Sequence, residues 1–276
     1  MKKIGILYHP LNESACTFAD ELKAMLSEKN ISVWSCSAWD EAGASRRTAG
    51  TDLILSIGGD GTILHAAQVA LGLSIPIAGI NMGNLGFMTE FTADEAKTGV
   101  LKIIDGKGWL DRRAMLETAV PGQNKPVYYA LNDIVLARGS VARIVSIETT
   151  IDGVSFTTYR ADGVILSTAT GSTGYSLSAG GPILHPASSD FVLIPMLPHL
   201  GLPYSMVLSS TATVKLLIRT SFPATLNIDG HTNLTVPGDI EIMVKRSLKT
   251  TGFLRIKPKN YFYNTLEQRL KGKQTR

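Results

Sequence analysis

"LSIGGDGTILHAA", residues 55–67, decides how the first half of the chain reads. An apolar run meets three glycines around one aspartate, and residues of helical character follow, so the stretch predicts a strand, a tight loop and a helix. Glycines directly before a helix let backbone amides approach phosphate oxygens, and the helix dipole favours the negative charge. Gly58, Gly59, Gly61 and Thr62 therefore form a candidate polyphosphate loop, and Asp60 a candidate carboxylate for chemistry beside it. The loop has no P-loop lysine, and its glycine spacing is not the G-x-G-x-x-G of a dinucleotide fold. A plain turn is the competing reading, because Gly-Gly and Asp-Gly are ordinary turn formers and the chain has five Asp-Gly pairs.

Outward from this stretch, residues 3–8, 31–36, 52–57 and 75–80 read as strands. Ala15, Phe18, Ala19, Leu22 and Leu26 recur at helical spacing before Asn30, and residues 62–71 are helical between the last two strands. Strands separated by helices pair in parallel, which predicts an open, Rossmann-like α/β sheet with ligands bound beyond the carboxyl ends of its strands. After a helical stretch at 94–105 the texture changes. Residues 127–137, 143–150, 155–159, 164–168, 213–218, 225–228, 240–244 and 254–256 are short, β-branched runs, with Asp152-Gly153 and Asp229-Gly230 among the turn signals. They predict an all-β, β-sandwich-like domain. A last helical pattern, Tyr263, Leu266 and Leu270, follows Pro258 and Asn260. The expected division is an α/β domain over 1–108, a β domain over 109–258 and a C-terminal helix over 259–276.

Composition narrows the functions open to such a chain. Its 276 residues, 44% hydrophobic and 18% charged, suit a folded protein of one large or two ordinary domains. The formal net charge of +4 is concentrated toward residues 245–276 rather than along a helix with interleaved aromatics, so no nucleic-acid partner is expected. Two cysteines, Cys16 and Cys36, make no disulfide framework and favour a reducing compartment. The apolar run after Lys2 and Lys3 is too short for a signal peptide, and Pro195, Pro198, His199 and Pro203 interrupt residues 191–208, so a cytoplasmic protein without a membrane span is expected. No nucleophile elbow accompanies His65, His185, His199 or His231, and no side-chain cluster reads as a metal site.

A second dense stretch, "RADGVILSTATGSTGYSLSAGGPILHP" at 160–186, places small hydroxyl residues and glycines between a strand and a Gly-Gly-Pro turn. Such loops allow close backbone approach to a ligand, with hydroxyls free to bond ribose or base edges. The alternative is a small-residue corner between β layers. Asn132-Asp133 in "ALNDIVL" is a polar pair inside a strand-like run, explained equally by a site or by a bulge or turn.

Taken together, "GGDGT", "LNDIVLARG", "DGVILSTATGSTGYSLSAGGPIL" and "PKNYFYNTLEQRL" run in order along nearly the whole chain and resemble the NAD kinase family. G-G-D-G-T alone would be shared with diacylglycerol and sphingosine kinases, but no membrane-docking amphipathic segment accompanies it here. A non-catalytic NAD sensor would dispense with the acid, yet Asp60 is present. The resemblance implies an N-terminal α/β domain, a C-terminal β domain, a final helix packed back on the first, and a site in the cleft between the domains completed by a neighbouring subunit of a homodimer or homotetramer.

The implied reaction is transfer of the γ-phosphoryl of ATP to the 2′-hydroxyl of the adenosine ribose of NAD. By motif position Asp60 is the implied general base, and Asn132 and Asp133 are implied NAD contacts, with Asp133 standing where many members carry glutamate. Thr173, Tyr175, Ser176, Leu177 and Ser178 are implied to line the dinucleotide pocket, with Gly174 where alanine is usual. Arg143, Arg160, Asp162 and His231 fall on family binding positions. The resemblance implies that a charged or polar residue at the place of Arg160 accompanies preference for NAD, and a glycine acceptance of NADH as well, and Arg160 is expected to act by fixing a neighbour such as Asp162 or a subunit contact. Phosphoryl transfer needs positioning, charge neutralisation and a proton acceptor. Without a lysine in the loop, the triphosphate charge falls to amides, to arginines from elsewhere and to a divalent cation, so Mg²⁺ with ATP is expected.

Overall fold

The apolar runs of the first hundred residues become parallel strands because a helix or a long loop separates each from the next, a connection no hairpin can make. In the computed structural model, which describes residues 1–83, 86–122, 127–140, 143–199 and 204–274, they form one of two compact units, Met1–Arg112 with Thr251–Arg276. Its elements are β1 (Lys3–Tyr8), α1 (Glu13–Glu28), β2 (Ser32–Ser37), α2 (Glu41–Ser45), β3 (Leu53–Gly58), α3 (Asp60–Val69), β4 (Ile77–Asn81), β5 (Phe91–Thr92) and α4 (Ala93–Ile104). The strands β2-β1-β3-β4 lie side by side in parallel. Asn12 starts α1 by accepting the Ala15 amide at 3.0 Å, and Thr92 with Glu95 forms a capping box on α4. Ala15, Ala19, Leu22 and Leu26 of α1 bury one helical stripe in a core shared with Ile4, Ile6, Leu53, Leu55 and Ile57. Every residue of β3 is buried, as covering a parallel sheet on both faces requires.

The second unit, Arg113–Thr250, is built from antiparallel strands. The chain enters it within β6 (Trp109–Ala119) and continues through β7 (Tyr128–Ala130), β8 (Asp133–Arg138), β9 (Val145–Ile151), β10 (Val154–Ala161), β11 (Gly163–Thr168) and the short helix α5 (Tyr175–Ser178). Then follow β12 (Phe191–Met196), β13 (Met206–Leu208), β14 (Thr213–Arg219), β15 (Ala224–Ile228), β16 (Thr232–Val236) and β17 (Ile240–Arg255). One layer runs β13-β12-β11-β8-β15-β16 and the other β10-β9-β14-β17. Alternate residues of the two layers, among them Ile134, Leu136, Val164, Leu166 and Leu226 against Ile147, Val214, Leu216 and Ile218, fill one apolar core. An open α/β unit and an all-β, two-layer unit are thus the fold, and no described helix is long and apolar enough to cross a membrane.

Several elements differ from the pattern-based expectation. Residues 240–255 form one strand rather than two short ones, because Ser247 and Thr251 take inward positions that apolar residues usually hold and so hide the alternation. Residues 127–137 split into β7 and β8 around Leu131 and Asn132. The α2, β5, β6, α5, β12, β13 and β16 elements were not legible; β12 even accommodates Pro195 in its ladder. At the chain end, α6 (Tyr261–Gln274) leaves Tyr263 62% exposed and buries Thr265 and Arg269 instead. This helix and the end of β17, whose Phe253 pairs with Ile77 of β4, belong to the first unit.

Gly5 in β1 leaves no room for a side chain, since a Cβ there would overlap the Trp34 ring, which is itself anchored by its Nε1–H donating to Thr51 Oγ1 at 3.0 Å. Gly5→Ala is expected to lower unfolding free energy by about 1–3 kcal/mol in urea titrations, without moving ligand affinity.

Candidate active site

The predicted loop lies at the carboxyl end of β3, where Gly58 closes the strand, Gly59 caps α3 and Asp60 opens the helix. Gly58 has φ +155°, and a Cβ on it would run into Thr62 Oγ1, so the position excludes other residues twice over. Gly59 and Gly61 face open space where a Cβ would stand. Thr62 ties the turn together: its Oγ1 accepts the Gly59 amide at 3.4 Å while its own amide donates to the Gly59 carbonyl at 3.1 Å.

Asp60 does not hang freely in this loop. Its Oδ2 accepts the Phe87 amide at 2.8 Å and its Oδ1 the Met88 amide at 3.0 Å. A Cβ on Gly86 would collide with the same carboxylate, so the chain at 86–88 wraps it closely. A carboxylate oxygen has two lone-pair sites, and each oxygen keeps one beyond its amide bond. Sequence reasoning missed this segment entirely, since backbone donors carry no side-chain signature.

The second unit holds a pocket of about 440 Å³. Strand alternation builds it: Ile134 and Leu136 of β8 enter the core, while Asp133, Val135 and Ala137 face the pocket together with Asn227 of β15. Asn132, Tyr175, Met196 and the Asp229-Gly230 turn complete the lining. Of these, Asn132, Asp133 and Tyr175 were expected; Val135, Ala137, Met196, Asn227 and Asp229 were not. Val135, Ala137 and Asn227 had read only as strand residues, and Asp229 only as part of a turn.

Asp229 organises the pocket. With φ +53° at the turn, it accepts the amides of Leu131 at 2.8 Å, Asn132 at 2.7 Å and Asp133 at 3.1 Å. Burial pushes its pKa up to about 6 against the opposing pull of those three bonds. Asp133, buried beside it, is pushed up to about 7, first by burial and then by the Asp229 charge. Among the described residues, Asn132 Oδ1 and Ser176 Oγ are buried without a hydrogen-bond partner. Buried polar atoms in this condition call for an explanation, and a ligand donor at Asn132 supplies one.

In the hydroxyl-rich loop, several hydroxyls are taken up by backbone carbonyls, some within the loop and one on the pocket strand's approach. Thr168 Oγ1 donates to the Leu131 carbonyl at 2.6 Å, Ser172 Oγ to Ala169 O at 2.7 Å, and Thr173 Oγ1 to Thr170 O at 3.4 Å. A Cβ on Gly171 would overlap the Asn132 carbonyl, so glycine there joins this loop to the pocket strand. Beyond Gly174, helix α5 exposes Tyr175 and Ser178, half-buries Leu177 and buries Ser176. The Tyr175 hydroxyl reaches Met196 Sδ at 3.9 Å.

The remaining expected residues lie elsewhere in the second unit. Arg143 is exposed with its guanidinium 5.0 Å from the Phe222 ring centre, and His231 follows the Asp229-Gly230 turn with Nδ1 3.2 Å from Asp229 O. Asp162 pairs with Arg138, Nε to Oδ1 at 3.0 Å, and not with Arg160 as expected. The reason is strand alternation: Tyr159 and Ala161 point inward on β10, which turns the intervening Arg160 outward.

Comparison with known proteins adds a family to this geometry. Residues 34–107 match the ATP-NAD kinase N-terminal domain and residues 131–256 the ATP-NAD kinase C-terminal domain. A NAD kinase of Dehalococcoides mccartyi (strain CBDB1) is 47% identical over 98% of this chain and 96% of its own length. The chain belongs to the NAD kinase family. A second NAD kinase, from Chloroflexus aurantiacus, is 37% identical over 98% of this chain and 99% of its own. Among solved NAD kinase relatives, yeast NADH kinase complexed with NADH superposes with a TM-score of 0.83 at 25% identity, covering 100% of this chain and 89% of that one. An NAD kinase from Archaeoglobus fulgidus in complex with ATP gives 0.78 at 26% identity, with 98% of each chain covered.

The raised Asp133 pKa has a thermodynamic consequence. A carboxyl that holds its proton more tightly folded than unfolded penalises the folded state once both forms ionise, so its contribution to stability falls as pH rises from about 4 toward about 7. Asp133→Asn removes that penalty and is expected to stabilise the protein by about 1–3 kcal/mol at pH 8 and hardly at all at pH 4. Thermal melts of wild type and variant at both pH values test it; an equal difference at the two would show that Asp133 does not titrate in this range.

Proposed function

We propose that this member of the NAD kinase family transfers the γ-phosphoryl of ATP to the 2′-hydroxyl of the adenosine ribose of NAD, giving NADP and ADP. The observation that carries the reading is the Asp60 carboxylate, held by two backbone amides at the start of α3 beside an open glycine loop. An alcohol attacking phosphorus needs a proton acceptor, and a carboxylate in a fixed orientation meets that need. Gly59 and Gly61 leave the loop open to phosphate oxygens, with Gly58 and Thr62 shaping the turn. In the second unit the unpartnered Asn132 Oδ1, Asp133 and Tyr175 receive the dinucleotide, and Arg143, Asp162, Thr173, Gly174 and His231 complete or support its site.

A divalent cation, Mg²⁺ by preference, enters with the nucleotide. Asp60 is one acid beside the glycine loop, and each of its oxygens already accepts an amide. That donor set suits a cation carried by triphosphate oxygens, where it would offset the charge of the transferred group. The free thiols of Cys16 and Cys36 suit a reducing cytoplasm. Exposed Tyr175, Leu197, Tyr204 and Val207 give the second unit apolar surface for self-association as a dimer or tetramer.

Incubation with Mg-ATP and NAD should yield NADP, read with an NADP-specific dehydrogenase, and chelation of the cation should stop it. Asp60→Asn is expected to lower kcat by about 10²- to 10⁴-fold while calorimetry shows NAD still bound. Turnover within about threefold of wild type would return Asp60 to the role of a turn former.

Arg160 carries the finer reading of substrate choice, NAD over NADH. Its outward position on β10 leaves it to act on the dinucleotide or on a neighbouring subunit rather than through Asp162. In wild type kcat/KM should favour NAD, and Arg160→Gly should reduce that ratio by roughly 3- to 10-fold. An unchanged ratio would remove Arg160 from the choice of substrate.

A further inference from the structure

The peptide group joining Phe87 to Met88 is held at both ends. Its N–H, on Met88, donates to Asp60 Oδ1 at 3.0 Å. Its carbonyl, on Phe87, accepts Arg269 Nη1 at 3.3 Å. The carbonyl of the next peptide also meets an arginine, with Arg255 Nη1 donating to the Met88 carbonyl at 2.7 Å. Both arginines are buried, at 5% and 7% exposure, and both come from the end of the chain, on α6 and β17.

The two cations differ in what stabilises them. Arg255 is balanced by Glu90 and Asp111, each at 3.3 Å, and lies 4.8 Å from the Phe253 ring centre. Arg269 forms no ion pair among the described residues. It rests between the rings of Phe87 and Tyr261, at 5.6 and 5.5 Å, its Nε is buried without a partner, and Asp60 and Glu90 act on it only as charges at longer range. A buried cation with so little compensation is unfavourable for stability, and an apolar side chain of the same length would pack this position better. What the guanidinium adds is one charge-assisted bond to the carbonyl of the peptide that grips Asp60. In a planar peptide, holding the carbonyl fixes the N–H on the opposite side, and polarising the carbonyl strengthens that donor.

We infer that Arg269 is a positioning residue for phosphoryl transfer: it fixes the Phe87–Met88 peptide so that the Asp60 carboxylate keeps the orientation its base role requires. The inference rests on the assignment of Asp60 as the base. Without Arg269 the Phe87 carbonyl loses its charged donor, the peptide tilts, and the two amides no longer hold the Asp60 carboxylate in one orientation.

Arg269→Met keeps an unbranched apolar chain between the rings but removes the donor and its charge. It is expected to lower kcat by about 10- to 100-fold, with KM for ATP and for NAD within about twofold of wild type. Arg269→Lys, which keeps the charge and a donor, should recover part of the loss. Lys271→Ala removes only an exposed ion pair with Glu267 on the same helix and should leave kcat unchanged, separating the clamp from helix stability. The deciding measurement is a double-mutant cycle: in an Asp60→Asn background, Arg269→Met should cause little further loss, because the group it positions is already disabled. Additive losses, a change confined to KM, or wild-type kcat in Arg269→Met would each overturn the inference. If Arg269→Met does not fold, as judged by circular dichroism, Arg269→Lys runs the same cycle under the same criteria. Wild-type turnover in Asp60→Asn would overturn the base assignment itself, whereas a large loss there with additive Arg269 effects overturns only the positioning role.

Discussion

Glu90 accepts the amides of Ile256 and Lys257 at 2.8 and 2.7 Å through one oxygen, and its other oxygen meets Arg255. This carboxylate fastens the returning end of the chain to the rest of its unit, and the same bond type recurs at three other places where a distant segment is held. Asp60 holds residues 87 and 88, Asp229 holds residues 131 to 133, and Asp52 holds the amides of Lys2 and Lys3. A hydrogen bond with one charged partner contributes on the order of 1.5–3 kcal/mol, more than a neutral one, and it fixes direction as well as distance. Site geometry in both units therefore depends on acids that receive backbone donors.

Those acids are not equivalent in what they take from stability. Asp229 and Asp133 sit together in a desolvated pocket and hold their protons more tightly than free carboxylates, an arrangement that costs stability near neutral pH. A fold optimised for stability alone would not place two acids there, and perturbed carboxyls of this kind gather at functional sites. The unpartnered Asn132 Oδ1 beside them has the same character: a polar group kept buried and open to a ligand.

The small residues divide their labour in a way composition does not reveal. Gly58 and Gly171 are required by geometry, one by its positive φ and the approach of Thr62, the other by the Asn132 carbonyl pressed against it. Gly59 and Gly61 face open space and are free to admit a ligand. Among the hydroxyls, Ser172 and Thr173 bond the backbone of their own loop, and Thr168 ties it to the Leu131 carbonyl. The hydroxyl-rich loop is thus in part a frame, braced internally and against residues 131–132, that sets α5 and Tyr175 beside the pocket, a use its composition shares with direct ligand contact.

By itself the sequence determined the alternation of four strands with the longer helices in residues 1–104, though not α2 or β5, the change to antiparallel structure after them, and the position of the glycine loop at the end of β3. Each of these follows from periodicity and turn chemistry within a dozen residues, where burial alternates with a regular period. The motifs in their order also determined the family. Tertiary structure alone decided that 240–255 is one strand, that Asp162 pairs with Arg138, and that Asp60 is gripped by residues 27 and 28 positions away, with Arg269 182 positions from the carbonyl it holds. The partners in those last contacts are peptide groups, which every residue but proline carries alike, so nothing in the side-chain pattern marks which of them a buried charge will meet.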